Sequence, residues 1–158
     1  MECKGFVDAA SPLGRLDRRC YGQFIEHLGK CIYGGVWVGE GSKIPNVRGF
    51  RLDVLEAIRE LKPPIVRWPG GNFSSGYHWL DGVGPRGQRP SRLDLAWGAE
   101  EPNEFGTVEF LEWCKLVGTE PFIVVNSGNG NPEEAASWVE YCNSAGGTHY
   151  ASLRRSDG

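Results

Sequence analysis

The chain has 158 residues, and its 17 Lys and Arg against 20 Asp and Glu give a formal net charge of −3. This weak negative balance argues against nucleic acid or an anionic membrane as a partner, because both favour a basic face. Glycine, with 23 residues, is far above its usual share of about 7%, and there are six tryptophans. Such a composition indicates a loop-rich ligand site, and the chain length predicts one domain, or two at most.

Targeting and metal-binding signals are not evident in the sequence. No apolar run of signal-peptide length follows the N-terminus, and no stretch approaches the roughly 18 apolar residues of a membrane span. The five cysteines are odd in number and show no CxxC spacing, so we interpret them as free thiols in a reducing cytoplasm. Since the three histidines are scattered, no zinc or other metal site is predicted.

The predicted elements of the first half follow a strand–loop–helix order. Residues 21–26 are predicted as a first strand, and a glycine-rich loop follows. Apolar spacing over 50–61 predicts a helix with one buried face, which the prolines at 63 and 64 end. Residues 65–68 read as a short buried strand. The long loop after it is rich in Gly, Pro and Trp and extends to about position 103.

The second half repeats this order. Residues 105–117 are predicted as a second helix, and the apolar run 121–126 as a third strand of the kind covered on both faces in a parallel sheet. Asn131 can cap a third helix that ends near 143–147, and Glu134 completes its capping box. The tail, 148–158, has no apolar continuation, and no element is assigned to it.

Three consecutive β/α units indicate a parallel α/β fold. A complete (β/α)8 barrel takes about 250 residues, so the chain fits either a small open domain or the front of a barrel. Long loops after the first two strands and short return loops favour the barrel, in which the β→α loops build the active site. We therefore predict the first three β/α units of a TIM-type barrel, incomplete in this chain.

Polar residues follow the first two predicted strands. Glu26 ends the first strand, where its carboxylate would point into the mouth of a barrel. Arg67 lies in an apolar strand end and needs a partner, because an unpaired buried charge is costly. Gly70 and the next glycine allow a close backbone approach, and Asn72 offers a donor and an acceptor that suit sugar hydroxyls. A tight turn with a structural Arg–carboxylate pair would explain the same residues.

The long second loop carries four aromatic residues, namely Tyr77, His78, Trp79 and Trp97. Aromatic faces stack on sugar rings and also on nucleobases, and the net charge makes sugars the better hypothesis. Simple packing of the loop is the alternative for each of them. Asn103 and Glu104, just before the second helix, are expected to cap it.

Six segments taken together are more specific than any one of them. They are FIEHLGKCIYGG at 24–35, RWPGGNF at 67–73, YHW at 77–79, DGVGPR at 81–86, NEFG at 103–106 and WVEYCN at 138–143. This set resembles the family 51 glycoside hydrolases, the α-L-arabinofuranosidases, from about residue 16 to residue 155. The resemblance implies a catalytic barrel, of which 19–158 would be a part, and a C-terminal β-sandwich that residues 1–18 would join as a lead-in strand.

The same resemblance implies an activity and its partners. Family members release terminal α-L-arabinofuranose from arabinan, arabinoxylan or related oligosaccharides by a retaining mechanism that uses no cofactor. They are homo-oligomers, often hexamers, and a cytoplasmic enzyme without nucleic-acid or membrane partners is expected. Two readings remain open beside this one. The chain could be a non-catalytic sugar-binding α/β fragment, or part of a related barrel hydrolase acting on β-glucan.

Four residues match the substrate-binding positions of the family. The resemblance implies that Glu26 and Asn72 hydrogen-bond the arabinose in the −1 subsite and that Trp97 borders the substrate. Arg67 would support the region of the catalytic carboxylates. The acid/base and nucleophile glutamates follow later strands of the family's barrel and are expected beyond Gly158, so we assign no catalytic residue here. We expect the chain alone to be a truncated piece, poorly stable and inactive.

Overall fold

The computed structural model describes residues 2–157, so Met1 and Gly158, the outer ends of the two predicted domains, lie outside the described residues. Its strands and helices, in chain order, are β1 (Gln23–Phe24), β2 (Asn46–Val47), β3 (Phe50–Arg51), α1 (Leu52–Leu61), β4 (Ile65–Trp68), β5 (Arg92–Leu93), β6 (Glu100–Glu101), α2 (Thr107–Val117), β7 (Glu120–Ile123), α3 (Pro132–Asn143) and α4 (His149–Asp157). Short 3₁₀ turns lie between them, including Phe73–Gly76.

The main sheet has three parallel strands in the order β1–β4–β7. Gln23 pairs with Val66, and Ile65 pairs with Glu120. Because a helix separates each strand from the next, the predicted mixed α/β fold is confirmed. The first and third strands are shorter than the predicted 21–26 and 121–126. Two antiparallel hairpins, β2–β3 and β5–β6, lie in the loops that follow β1 and β4.

Local sequence signals explain where most helices begin and end. Helix α1 buries Leu55 completely and ends at Leu61, and the cap residue Lys62 has a left-handed φ of 51°. Helix α3 begins after Asn131 as predicted, because Asn131 Oδ1 accepts the amide hydrogen of Glu134 at 2.8 Å. The Glu134 side chain does not complete the predicted capping box, and its Oε1 lies 2.9 Å from His78 Nδ1. The expectation that Asn103 or Glu104 caps α2 is wrong.

At that helix the cap residue is Gly106, and the Glu109 carboxylate reaches back to accept its amide hydrogen at 2.9 Å. Asn103 is buried three residues earlier and donates instead to the carbonyl of Pro90 at 2.7 Å. The preceding loop takes Asn103 into the interior, so it cannot serve as a surface cap.

Helix α4 lies in the tail, where the sequence analysis assigned no element. Ala151 is fully buried against the rest of the fold, and Arg154 donates to the backbone carbonyls of Ser144, at 2.6 Å, and Tyr141. The hydroxyl of Tyr141 donates to Asp157 at 2.7 Å. This helix has little apolar periodicity because polar contacts to α3 attach it, and periodicity alone gives no signal for such contacts.

Aromatic side chains dominate the core. Its largest fully buried members are Trp37, Trp68, Trp79, Trp113, Tyr141, Phe50, Phe105 and Phe110. With Trp138, five of the six tryptophans are buried, and only Trp97 is exposed among the six. The high tryptophan content therefore reflects core packing more than a ligand site.

The N-terminal segment lies outside this core. Residues 2–17 are exposed and form no strand, so a role for 1–18 as a lead-in to another domain stays a prediction. Over the described part of the chain, no helix combines the length and apolar character needed to cross a membrane.

Candidate functional site

Glu26 lies two residues beyond β1, at the edge of the sheet where the parallel strands end. Its Oε1 accepts hydrogen bonds from the backbone amides of Gly71, at 3.0 Å, and Phe73, at 3.4 Å. Both donors belong to the turn that follows β4. The half-buried carboxylate is therefore held by fixed backbone dipoles and not by a flexible side chain.

The double glycine lets this turn close over the carboxylate. Gly70 has a φ of 148°, and a Cβ at this position would lie 2.7 Å from both Cδ and Oε1 of Glu26, and closer still to Cγ. At Gly71 the nearest atom to such a Cβ is a guanidinium nitrogen of Arg67, at 3.8 Å. The close approach is thus specific to Gly70. The Trp68–Pro69 peptide just before it is cis.

Arg67 lies in β4 with its guanidinium 5.0 Å from the ring centroid of Phe24. Its Nε is buried and has no hydrogen-bond partner within residues 2–157, and no ion pair of Arg67 occurs there. The alternative of a structural Arg–carboxylate pair is therefore wrong for the described part of the chain. A partly buried guanidinium without a counter-charge in the described residues favours an anionic neighbour.

The other two predicted binding residues are exposed. Asn72 directly precedes the Phe73–Gly76 turn, and its side chain makes no capping hydrogen bond there. Trp97 lies in the 94–99 loop of the β5–β6 hairpin and is 43% exposed. The structure thus brings Glu26 and Asn72 to one turn, whereas Trp97 lies on a separate hairpin.

A buried polar network, which the sequence analysis missed, connects the turn and the hairpin. His27 Nδ1 lies 2.7 Å from Glu101 Oε2, and the indole Nε1 of Trp68 donates to His27 Nε2 at 3.0 Å. The other oxygen of Glu101 accepts hydrogen bonds from the Tyr33 hydroxyl and from the Asn103 amide, at 2.9 Å. His27 and Glu101 are 74 positions apart, so no local signal could have paired them.

The network has a defined hydrogen-bond direction. An indole N–H can only donate, so His27 Nε2 is the acceptor and Nδ1–H is the donor to Glu101. Burial raises the pKa of the Tyr33 hydroxyl, and the nearby charge of Glu101 and its hydrogen bond raise that pKa further. Tyr33 therefore stays protonated and serves as a second donor to the same carboxylate.

The remaining aromatic residues of the second loop pack the interior. Tyr77 is buried and tilted against Phe73, with ring centroids 5.1 Å apart, and Trp79 stacks on Trp138 at 5.9 Å. His78 is half-exposed and lies 2.9 Å from Glu134 Oε1. For the two buried rings, the packing alternative is the one that the structure favours.

Asn126, beyond β7, is a further polar residue that the sequence analysis did not single out. It is 8% exposed, and its amide group donates to the carbonyl of Tyr77 at 3.1 Å. Its Oδ1 accepts the amide hydrogens of Gly128 and Gly130 at 3.0 and 3.1 Å. Asn126 thus shapes the third loop and leaves little free hydrogen-bonding capacity for a ligand.

The exposed polar groups at this edge define the chemistry that it can perform. A backbone-anchored carboxylate and the exposed amide of Asn72 suit a neutral ligand with several hydroxyl groups. An exposed indole, such as that of Trp97 on the hairpin, suits an apolar face of such a ligand. Within the described range no group of three His, Cys, Asp or Glu side chains could hold a metal ion.

Comparison with known proteins identifies a family. The model of the alpha-L-arabinofuranosidase 1 domain matches residues 57–158. Alpha-L-arabinofuranosidase C of Emericella nidulans is 52% identical over 146 residues, which cover 92% of this chain and 29% of that protein. The intracellular exo-alpha-L-arabinofuranosidase of Bacteroides ovatus is 51% identical over 144 residues, 90% of this chain and 28% of that protein.

Solved structures agree with these relatives. The GH51 arabinofuranosidase of Xanthomonas axonopodis pv. citri has a TM-score of 0.92 at 47% identity, with 95% of this chain and 31% of that chain covered. The arabinose complex of the Thermotoga maritima alpha-L-arabinofuranosidase has a TM-score of 0.84 at 59% identity, with 87% and 28% covered. The chain therefore spans about three tenths of the length of the relatives that it matches. The resemblance inferred from the motifs is confirmed, and the chain belongs to the family 51 α-L-arabinofuranosidases.

Proposed function

We propose that this chain supplies the sugar-binding edge of a retaining α-L-arabinofuranosidase that releases terminal arabinofuranose from arabinan- or arabinoxylan-type chains. One observation carries the proposal: the Glu26 carboxylate is fixed by the amides of Gly71 and Phe73 beside the exposed Asn72. Relatives about half identical to this chain are named α-L-arabinofuranosidases, which supports the activity.

Each proposed binding residue has a role that follows from its chemistry. Glu26 accepts hydrogen bonds from sugar hydroxyls, since its two backbone bonds leave other lone pairs free. Asn72 both donates and accepts, and the indole of Trp97 covers an apolar face of the sugar. The unpaired guanidinium of Arg67 stabilises a catalytic carboxylate brought to the same edge.

The catalytic step requires carboxylates that we do not assign among the described residues. A retaining glycosidase uses two carboxyl groups about 5–5.5 Å apart, one as acid/base and one as nucleophile. We assign Glu26 a binding role, because its backbone hydrogen bonds hold it as an acceptor for sugar hydroxyls. We propose that other residues of the complete enzyme supply both groups, and that no cofactor takes part because carboxylates suffice for this chemistry.

The proposed architecture is the front of a (β/α)8 barrel. Its support is the sequential parallel order β1–β4–β7 and the long loops at the carboxyl ends of the first two strands. A lead-in role for 1–18, a homo-oligomeric assembly such as a hexamer, and a cytoplasmic location belong to the same proposal. The Bacteroides ovatus relative is named an intracellular enzyme, which supports the location.

A substrate comparison on the complete product of the encoding gene tests the proposal. We expect hydrolysis of 4-nitrophenyl α-L-arabinofuranoside and no comparable hydrolysis of the β-D-glucopyranoside. Glu26→Gln should lower kcat/KM about 10- to 100-fold, the usual effect of losing a hydrogen bond to a charged group. The matched control is Glu133→Gln, an exposed residue of α3, which should leave kcat/KM unchanged.

The other outcomes separate the alternatives. Preferential hydrolysis of the glucoside would favour a barrel hydrolase acting on β-glucan. Arabinose binding without hydrolysis would favour a non-catalytic sugar-binding protein. Equal kcat/KM for the Glu26→Gln and Glu133→Gln variants would contradict the assigned role of Glu26.

A further inference from the structure

We propose that His27 is a positioning residue that couples the Glu26 turn to the hairpin that carries Trp97. The inference deepens the proposed function and rests on it only for the identity of the sugar. It concerns a buried side chain that the catalytic scheme above does not use.

The first step is the contact between His27 and the Glu26 turn. The imidazole stacks on the ring of Phe73, with centroids 4.4 Å apart and planes 11° from parallel. The amide of the same Phe73 donates to Glu26 Oε1, and the His27 amide donates to the carbonyl of Pro69 at 3.1 Å. His27 therefore contacts the residue that orients Glu26 and is bonded to the start of the same turn.

The second step is the contact between His27 and the hairpin. Nδ1–H of His27 donates to Glu101, the last residue of β6, which pairs with Arg92 of β5. The loop between these two strands, 94–99, carries Trp97 and is closed by the amide of Asp94, which donates to the carbonyl of Ala99 at 2.8 Å. One imidazole thus links the Glu26 turn to a hairpin that begins at Arg92, well beyond that turn in the chain.

The third step is the geometry that makes the imidazole specific. His27 is only 6% exposed and uses one ring nitrogen as a donor to Glu101 and the other as an acceptor from Trp68. An asparagine places its amide nitrogen near the position of Nδ1, whereas a glutamine places its amide group near Nε2. His27→Asn can therefore keep the bond to Glu101, and His27→Gln can keep only the bond to Trp68.

These two variants form the test, in the complete product of the encoding gene. With 4-nitrophenyl α-L-arabinofuranoside, we expect His27→Gln to lower kcat/KM about 10- to 100-fold, and His27→Asn to recover it to within about threefold of the wild type. Hydrogen exchange of the Asp94 amide should accelerate about tenfold in His27→Gln but not in His27→Asn, while amides of α3 remain unchanged. His149→Gln, on the exposed surface of α4, is the control.

The outcomes distinguish this inference from a purely structural role and from failure of the proposed function. Equal losses in both His27 variants, with exchange accelerated throughout the fold, would overturn the coupling. Unchanged Asp94 exchange in His27→Gln would also overturn it. If the wild type does not hydrolyse the arabinofuranoside, the proposed function fails, but the exchange measurements still decide whether His27 couples the turn to the hairpin.

Discussion

Replacing Gly70 by alanine tests how the turn holds Glu26. The added Cβ would lie 2.7 Å from Cδ and Oε1 of Glu26, well inside the roughly 3.5–4.0 Å of a normal carbon contact. The φ of 148° adds backbone strain for any residue with a side chain. Either the turn opens or Glu26 leaves the amides of Gly71 and Phe73.

The expected loss of stability follows from the steric clash with Glu26 and from the backbone strain at position 70. Overpacking costs about 1–3 kcal/mol, and a residue held in a sparsely populated backbone region costs about 1–3 kcal/mol. Because local relaxation removes part of the clash, we expect Gly70→Ala to lower the free energy of unfolding by about 3 kcal/mol. With a urea m-value of about 2 kcal/mol/M, the midpoint of unfolding falls by about 1.5 M.

The adjacent glycine provides the control. A Cβ at Gly71 has no neighbour closer than 3.8 Å, so Gly71→Ala should match or slightly exceed the stability of the wild type, by up to about 1 kcal/mol. Urea unfolding can be followed by the fluorescence of the buried tryptophans. Equal shifts of the midpoint in the two variants would refute the argument that Gly70 is required by its approach to Glu26.

Three further predictions concern the rest of the fold. Burial alone would raise the pKa of Glu109, but its bonds to Arg89 and other donors hold that pKa below the usual 4.5. The ionised Glu109 carboxylate therefore stabilises the fold above about pH 4.5, and this stabilisation is lost as the pH falls through the lowered pKa of the folded state. Glu109→Gln should lower the free energy of unfolding by about 3–5 kcal/mol at pH 7 and should make that free energy less dependent on pH in the acid range. The control Glu112→Gln, which removes a surface ion pair, should lower it by less than about 1 kcal/mol. Lys62→Gly should raise the free energy of unfolding by about 0.5–1 kcal/mol, because glycine adopts the left-handed cap without strain; a loss of stability in urea titration would count against this. Iodoacetamide at pH 8 should modify the exposed Cys3, Cys20 and Cys31 in the folded protein. Cys114 and Cys142 should react only slowly, because burial raises the pKa values of their thiols to about 12 and about 11. Mass spectrometry of the labelled chain measures the order of modification, and early labelling of Cys114 and Cys142 would contradict this prediction.

Elements with local signals were predictable from the sequence. The start of α3 was predicted because Asn131 and Glu134 form a cap that depends only on neighbouring residues. The parallel arrangement of the strands was predicted because β/α alternation permits few other arrangements. Helix α4 was not, since Arg154 and Asp157 attach it to α3 through polar contacts that leave no apolar periodicity.

In the candidate site, too, only the features with a local sequence signal could be predicted. The Gly70 turn could be predicted, because a double glycine beside a strand end indicates a close backbone approach whatever the approaching group is. Its partner, Glu26, and the pairing of His27 with Glu101 depend on residues 45 to 74 positions apart. Such pairs arise only when the strands are placed side by side, so residue type and spacing alone cannot indicate them.

The most direct test of the account is the structure of the complete gene product with bound L-arabinose. We predict the sugar at the carboxyl edge of the sheet, with a hydroxyl within hydrogen-bond distance of Glu26, another at Asn72, and the indole of Trp97 against the sugar. Arabinose bound at this edge without contacting Glu26, or bound elsewhere with Glu26 facing empty solvent, would contradict the account.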